Sequence, residues 1–235
     1  MAKAADLDQA LGNLFDAERR VRQLHADIAD SDEATLLAAI GRALDKAVKE
    51  PSEDEATLRL ERLAVLLGEM EGPRPVDLLI DILATEHPDA RAVAGEQLEV
   101  LAYDRFKELA KGVERALKRL PVRSPALPEL PYLLAEVPEP GVLKLLELFL
   151  VHEDPDATAA AIEVAVEIGD PAMAKHIERL IGDKRVVEMS DENDESAEVT
   201  IGELAEDALD IFAGAEGDDD GEAEGDDEPP PKKSK

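Results

Sequence analysis

The stretch VLKLLELFLVHEDPDATAAAIEVAVEIGD, residues 142–170, decides the fold class of this chain. Its first part carries leucine and phenylalanine at helical spacing, and Asp154-Pro155-Asp156 then interrupts the apolar pattern. An alanine-rich run follows at once and ends at Ile168-Gly169. The pattern predicts two short α-helices that are joined by a tight turn and pack as an antiparallel pair.

A similar pattern occupies residues 76–101, and the two stretches align without gaps at an offset of 67 residues. The matched positions are Leu78 with Leu145, Leu79 with Leu146, Ile82 with Phe149, and Pro88-Asp89-Ala90 with Pro155-Asp156-Ala157. This offset would hold two units of roughly 33 residues, a period typical of stacked helix pairs. The chain is therefore expected to contain repeated helix pairs.

The Pro-Asp turn predicts where the second helix of each pair begins. Proline is tolerated in the first helical turn because its missing N–H would have no partner there. A neighbouring aspartate caps the helix or complements its positive end. We therefore expect helices to begin at or beside Pro88 and Pro155.

Three further helices are predicted upstream, over residues 7–28, 33–49 and 52–67. The first has an apolar side that consists of Leu7, Leu11, Leu14 or Phe15, Val21, Leu24 and Ile28. Ser52 and Glu55 have the spacing of a capping box at the start of the third. These helices lack the Pro-Asp turn, so both diverged repeats and a separate helical cap remain open.

The rest of the chain mixes helices with less regular segments. A helix is predicted from Tyr103 to Leu120, and the Pro-rich stretch Pro121–Pro140 is interpreted as a junction with at most a short helix near Leu130–Glu136. Residues 185–201 hold two β-prone segments, for which a small hairpin and a plain loop are both open. Helices over residues 172–181 and 200–212 are also expected, the latter with a capping box at Thr200 and Glu203.

From Gly214 the apolar periodicity ends, and nine acidic residues stand against three basic ones. Such a segment cannot bury enough surface to order itself, so residues 214–235 are predicted to form a disordered acidic tail. The predicted division is thus residues 1–72 for the N-terminal helices, 73–213 for the repeats with a Pro-rich junction at 121–140, and 214–235 for the tail.

Charge narrows the classes of partner. The net charge is -30, from 56 acidic and 26 basic residues. A field of that sign repels phosphate backbones and anionic lipids, so neither direct nucleic-acid binding nor membrane docking is expected. The expected partner is another protein, for which basic surfaces are the physically easy choice. The oligomeric state stays open.

Cysteine is absent, which excludes disulfides, thiolate zinc sites and cysteine nucleophiles. The chain starts with an amphipathic, charged segment and not with a signal-type apolar region, and its apolar stretches are too short to span a bilayer. We therefore expect a cytoplasmic protein, and the high content of Ala, Leu and Glu is typical of a bacterial source.

The segment from Val142 to Ile181 resembles HEAT repeats, including the HEAT-like units of phycobilin lyases. The resemblance is carried by Leu145-Leu146, Phe149-Leu150, Asp154-Pro155-Asp156, the small-residue run Ala157–Ala165, Ile168-Gly169 and Asp170-Pro171-Ala172. Residues 75–101 match less well, and residues 199–212 resemble a terminal second helix. The resemblance implies an all-α fold, an armadillo-type α-solenoid of stacked antiparallel helix pairs, whose surface binds proteins.

Enzymes with related repeats suggest two kinds of site. Proteins resembling deoxyhypusine hydroxylase hold iron with His-Glu pairs, and here Glu86-His87 and His152-Glu153 lie one repeat block apart. Residues at repeat edges are the favoured interpretation of these pairs. HEAT-like DNA glycosylases need a basic groove with aromatic contacts, which this acidic, Trp-free composition does not favour.

An acidic run also raises the question of calcium. Asp191–Glu195 begins like a calcium loop, but Ser196 and Gly202 stand where an EF-hand needs Gly and Glu, so a solvated turn is favoured. The sequence therefore predicts no catalytic residue, cofactor or metal ligand.

One basic feature stands out in this acidic chain. Four cations recur at helical spacing on the predicted helix 103–120, namely Lys107, Lys111, Arg115 and Lys118, with Arg119 beside the last. We call these four residues the basic stripe. It would bind an acidic partner or the chain's own tail, or else it is a solvated face that Glu108 and Glu114 neutralise.

These observations predict a non-enzymatic adaptor or scaffold that binds another protein through a helical-repeat surface. An acidic chaperone-like or nucleic-acid-mimicking protein that captures a basic partner by charge is the alternative. A HEAT-like enzyme, such as a lyase or a metal-dependent hydroxylase, comes third.

Overall fold

The computed structural model describes residues 4–190 and 196–217, which form ten α-helices and two β-strands. The helices are α1 (Ala4–Ala29), α2 (Glu33–Ala47), α3 (Glu53–Gly68), α4 (Pro73–Leu83), α5 (Pro88–Arg119), α6 (Ala126–Ala135), α7 (Val142–Leu150), α8 (Pro155–Ile168), α9 (Ala174–Ile177) and α10 (Ile201–Gly217). The strands are β1 (Val186–Ser190) and β2 (Ser196–Thr200). The protein is thus mostly helical, as predicted, with a small antiparallel sheet.

Contacts divide the chain into two compact units, Met1–Leu145 and Leu146–Lys235, with the boundary inside α7. In the first unit α2 packs on α3 and α4, and α3 packs on α4 and α5. In the second unit α10 packs on α8 and α9, and β1 lies against α8. This division by contacts differs from the sequence-based division at residue 72, which followed the repeat pattern.

Both Pro-Asp turns begin a helix, as predicted. Pro88 and Pro155 are the first residues of α5 and α8. At α8 the capping residue is the aspartate before the proline, because the fully buried Asp154 accepts a hydrogen bond from the amide of Ala157 at 2.9 Å. At α5 the corresponding residue is His87, whose side chain makes no capping bond.

Two predicted capping boxes also begin helices. The hydroxyl of Ser52 accepts a hydrogen bond from the amide of Glu55 at the start of α3. At α10 the bonds are reciprocal: the amide of Glu203 donates to the Thr200 hydroxyl, and the Glu203 carboxylate accepts from the Thr200 amide at 2.8 Å. The hydrogen bonds from Thr200 lower the pKa of Glu203.

α5 consists of two helical segments that meet at a kink. Arg105 has non-helical backbone angles, φ -141° and ψ 45°, which separate a first segment (residues 88–104) from a second segment (residues 106–119). The sequence predicts two helices with a break close to this residue. The Arg105 guanidinium donates to the carbonyl oxygen of Met70 at 3.0 Å and thereby ties the kink to the end of α3.

α4 and the second segment of α5 run in the same direction and approach closely. Asp77 accepts a hydrogen bond from Arg115 at 2.9 Å, and one turn later Asp81 accepts one from Arg119. A Cβ atom on Gly112 would lie only 2.4 Å from Cγ1 of Val76, so glycine allows this approach.

Parallel packing also joins α3, the first segment of α5 and α6. Thr57 and Gly68 of α3 lie against His87 and Gln97, respectively, so α3 is parallel to the first segment of α5. The first segment of α5 is in turn parallel to α6. Two contacts establish this: Arg91 pairs with Glu129, and the Tyr103 hydroxyl donates to the carbonyl of Glu136 at 2.7 Å.

The Pro-rich stretch contains a buried helix that begins earlier than predicted. α6 starts at Ala126 and not near Leu130, and Leu127, Leu130 and Leu134 are fully buried. Proline is compatible with this start, because Pro125 is the N-cap and Pro128 lies in the first turn. Residues 126–135 are therefore part of the first unit's core.

The segment 185–201 forms strands and not a plain loop where the structure describes it. β1 and β2 pair antiparallel, with Val187 opposite Val199 and Glu188 opposite Glu198. Val187 is buried. The proposed calcium run, residues 191–195, lies outside the described residues.

The end of the last helix differs from the prediction. α10 continues to Gly217, five residues beyond Phe212, because Ala213, Ala215 and Glu216 favour helix. Residues 214–217 of the predicted tail are therefore helical, and residues 218–235 lie outside the described part of the chain. Among the described residues, no helix is both long and apolar enough to cross a bilayer.

Candidate functional site

The basic stripe lies on the second segment of α5 and has two parts. Arg115 is half-buried and donates to Asp77 at 2.9 Å and to the carbonyl of Pro73 at 3.2 Å. Arg119 likewise donates to the carbonyl of Asp77 at 2.9 Å and pairs with Asp81. These arginines join α5 to α4, so they are engaged within the fold.

The three lysines of the stripe are placed differently. Lys107, Lys111 and Lys118 are exposed, and within residues 4–190 and 196–217 they form no ion pair. The geometry therefore leaves three separate ammonium groups on a solvated face. The two arginines are unavailable to strengthen an anion-binding surface.

The His-Glu pairs lie at helix edges. His152 Nδ1 accepts a hydrogen bond from the amide of Asp154 at 3.1 Å, and His87 Nδ1 lies 3.4 Å from the hydroxyl of Thr57. His87 belongs to the first unit and His152 to the second. In the part of the chain that the structure describes, no group of three or more His, Asp or Glu side chains is arranged to hold a metal ion.

An open groove of about 400 Å³ lies between the first segment of α5 and α6. We call it the acidic groove. It is lined by Arg91, Ala92, Gly95, Glu96, Glu99, Glu129, Tyr132, Leu133 and Glu136. Its size is within the range of binding pockets, and its two walls belong to the same compact unit.

Helical periodicity positions both walls. On α5 the lining residues recur every turn, at Arg91, Gly95 and Glu99, and on α6 they recur at Glu129 and Leu133. Because the two helices run in the same direction, the two stripes face each other along their length. The ion pair between Arg91 and Glu129 bridges one end of the groove.

Electrostatically the groove is anionic. It holds four glutamates and one arginine, and that arginine is already paired with Glu129. The side chains of Glu96, Glu99 and Glu136 are exposed to solvent. Carboxylates in a concave surface attract cations and raise the local concentration of a positively charged partner.

Two further residues shape the groove. Tyr132 leaves 40% of its surface exposed and offers an aromatic ring beside the carboxylates, an arrangement that suits a lysine or arginine side chain. Gly95 leaves the space open, since a Cβ atom there would meet no heavy atom within 4 Å. The arrangement has the chemistry of a cleft for a cationic peptide segment.

The sequence did not identify these residues. Glu96 and Glu99 belong to no motif singled out in the sequence, and Tyr132 lies in the stretch interpreted as a junction. No local signal marks the groove, because glycines inside helices, such as Gly41, also occur outside it.

The chain matches no protein-family model, no curated protein and no solved structure.

Proposed function

We propose that this chain is a cytoplasmic, non-enzymatic adaptor of the HEAT-like type that binds a basic segment of another protein in the acidic groove. The observation that carries the proposal is the groove itself, in which exposed glutamates and a tyrosine line two parallel helices. A helical-repeat scaffold presents such a surface as an extended array.

The directions of the helices support the repeat interpretation. In the first unit, α2 with α3, α4 with the first segment of α5, and the second segment of α5 with α6 would be three successive antiparallel pairs. The contacts between α4 and α5 and between α5 and α6 then join equivalent helices of neighbouring pairs. Each pair would cover the apolar side of the next, as the stacked pairs of a solenoid do.

The negative charge of the groove favours a partner with lysine or arginine side chains. The exposed carboxylates of Glu96, Glu99 and Glu136 would pair with lysine or arginine, and the ring of Tyr132 would cover the aliphatic part of such a side chain. The net charge of -30 would steer a basic partner from a distance. Binding should accordingly be fast at low ionic strength and weaken as salt is added.

Affinity capture from the source cells tests the proposal. The tagged chain is compared with the Glu96→Gln/Glu99→Gln variant, and captured proteins are identified by mass spectrometry. The matched control, Glu206→Gln/Asp210→Asn, removes the same charge from an exposed face of α10. We expect a basic protein that the wild type and the control retain and the groove variant loses. Equal retention by all three would reject the groove.

Charge capture by the tail is the second candidate, because residues 214–235 hold nine acidic residues. Deletion of residues 218–235 separates it from the groove model. If capture is lost on this deletion and persists in the groove variant, the protein collects basic partners by charge alone.

A further inference from the structure

α1 carries an apolar side that the other helices of the first unit leave exposed. It has 26 residues, and every side chain from Asp6 to Ala29 other than His25 is exposed. The exposed large apolar residues are Leu7 (56%), Leu11 (50%), Leu14 (61%), Phe15 (55%), Val21 (37%), Leu24 (44%) and Ile28 (40%). A contiguous apolar surface of this kind marks an interaction site.

The spacing of these residues is that of a coiled coil. Leu7, Leu14, Val21 and Ile28 recur every seventh residue, and the positions three residues further on are Ala10, Ala17 and Leu24. We call these seven residues the α1 seam. All are apolar, as the a and d positions of a heptad repeat require, and they cover three full heptads.

The residues of the sequence that lie outside the described part lack the composition to cover the seam. The residues outside the described part are 1–3, 191–195 and 218–235. Met1 is the only large apolar residue among them, and the others are small, charged or polar. These residues therefore supply no apolar helix that would match the seam.

We infer that the α1 seam pairs with the seam of a second copy, with the two helices antiparallel. In that orientation every seam residue except Ile28 meets a small or complementary one. Leu14 faces Ala17 of the second copy, Val21 faces Ala10, and Leu7 faces Leu24. In a parallel pair, Ala10 and Ala17 would face themselves and leave voids between leucine layers, whereas antiparallel pairing places a larger residue opposite each of these alanines.

Area and charge both permit this pairing. The large apolar side chains of the seam and Leu11 expose on the order of 100 Å² each, so two copies bury roughly 1,200 Å², at the lower end of stable interfaces. α1 carries five acidic and three basic residues, a net charge of -2, while the whole chain carries -30. The same near-neutral helix lacks the basic face that anionic membranes attract.

Sedimentation equilibrium of the full chain tests the inference. We expect a dimer, and we expect Leu14→Glu/Val21→Glu to raise the dissociation constant at least about a hundredfold, because carboxylates cannot be buried unpaired in the seam. The control Gln9→Glu/Ala26→Glu adds the same charge away from the seam and should remain dimeric. Circular dichroism checks that the variants stay folded. A monomeric wild type, or equal association of both variants, would overturn the inference.

Cross-linking tests the orientation, since the chain has no cysteine of its own. A mixture of Leu14→Cys and Ala17→Cys chains should form a mixed disulfide. A dominant disulfide between two Leu14→Cys chains alone would contradict the antiparallel arrangement.

Salt separates this interface from the acidic groove. Two copies that each carry -30 repel one another, so screening should strengthen seam pairing, whereas it weakens binding of a basic partner. The proposed dimer and the proposed binding in the groove can therefore be tested independently. If the wild type stays monomeric and instead sediments with uncharged lipid vesicles, the seam binds a membrane surface and not a second copy.

Discussion

Single side chains stabilise the turns of the second unit. The carboxylate of Asp183 accepts hydrogen bonds from the Arg185 amide at 2.9 Å and from Arg185 Nη2 at 2.7 Å. The other end of that guanidinium donates to the carbonyl of His152 at 2.6 Å. Asp183 thus orients an arginine that holds the turn before α8 to the start of the sheet.

Replacement of Asp183 by Asn should lower the free energy of unfolding by about 1 kcal/mol, since hydrogen bonds from a charged donor are weakened. The side-chain hydrogen bond from Arg185 lowers the pKa of Asp183 below its ordinary value of 3.8. The contribution is therefore fully present above that value and is lost as the pH falls below it. Urea denaturation should give a constant difference between wild type and variant near neutral pH and a shrinking one below about pH 4. A difference independent of pH would contradict this role.

The buried cap of α8 gives a second prediction. Asp154→Ala should cost about 1–2 kcal/mol of stability, because the amide of Ala157 then has no acceptor. Asp154→Asn keeps an acceptor and should cost clearly less. Thermal unfolding of both variants measures the difference. Equal losses would show that the charge of Asp154, and not its hydrogen bond, stabilises this turn.

At the scale of elements, the close approach of α4 and α5 depends on Gly112. Val76 is buried and β-branched, so it has little freedom to move away from an added methyl group. Gly41 of α2 provides the contrast, because a Cβ atom there would meet nothing within 4 Å. Both glycines lie inside helices, where alanine is intrinsically favoured.

We therefore predict opposite effects of one substitution. Gly41→Ala should stabilise the protein by about 0.5–1 kcal/mol through helix propensity. Gly112→Ala should destabilise it by about 1–3 kcal/mol, because overpacking against Val76 outweighs that gain. Chemical denaturation of the two variants measures both signs. Stabilisation by Gly112→Ala would mean that the two helices are further apart than described.

Helix starts could be predicted from the sequence because their causes are local. Pro88, Pro155, Ser52 and the Thr200–Glu203 box each act within one turn of the chain. The groove could not be predicted, because Glu96 and Tyr132 lie on different helices and line it together only after those helices have packed. Leucines spaced between prolines gave no periodicity clear enough to assign α6 its full length.

At the scale of the whole molecule, charge sets the conditions for binding. Residues 214–235 carry a net charge of -6, so -24 of the total of -30 belongs to residues 1–213. Residues far from the groove thus add to its attraction for cations. Raising the salt concentration from about 0.05 M to about 0.5 M should lower the association rate constant for a basic partner at least tenfold. The dissociation rate constant should change much less.

Stopped-flow fluorescence measures both rates. The Glu206→Gln/Asp210→Asn variant should reduce the association rate only slightly, since it removes distant charge. An association rate that does not respond to salt would mean that steering by the acidic surface plays no part.

The most direct test of the account is a nuclear magnetic resonance titration of the full chain with a short arginine-rich peptide. We predict saturable shifts that concentrate on residues 91–99 and 129–136, the two walls of the acidic groove, and that weaken in the Glu96→Gln/Glu99→Gln variant. Shifts confined to residues 218–235, without saturation and unchanged in that variant, would contradict the account.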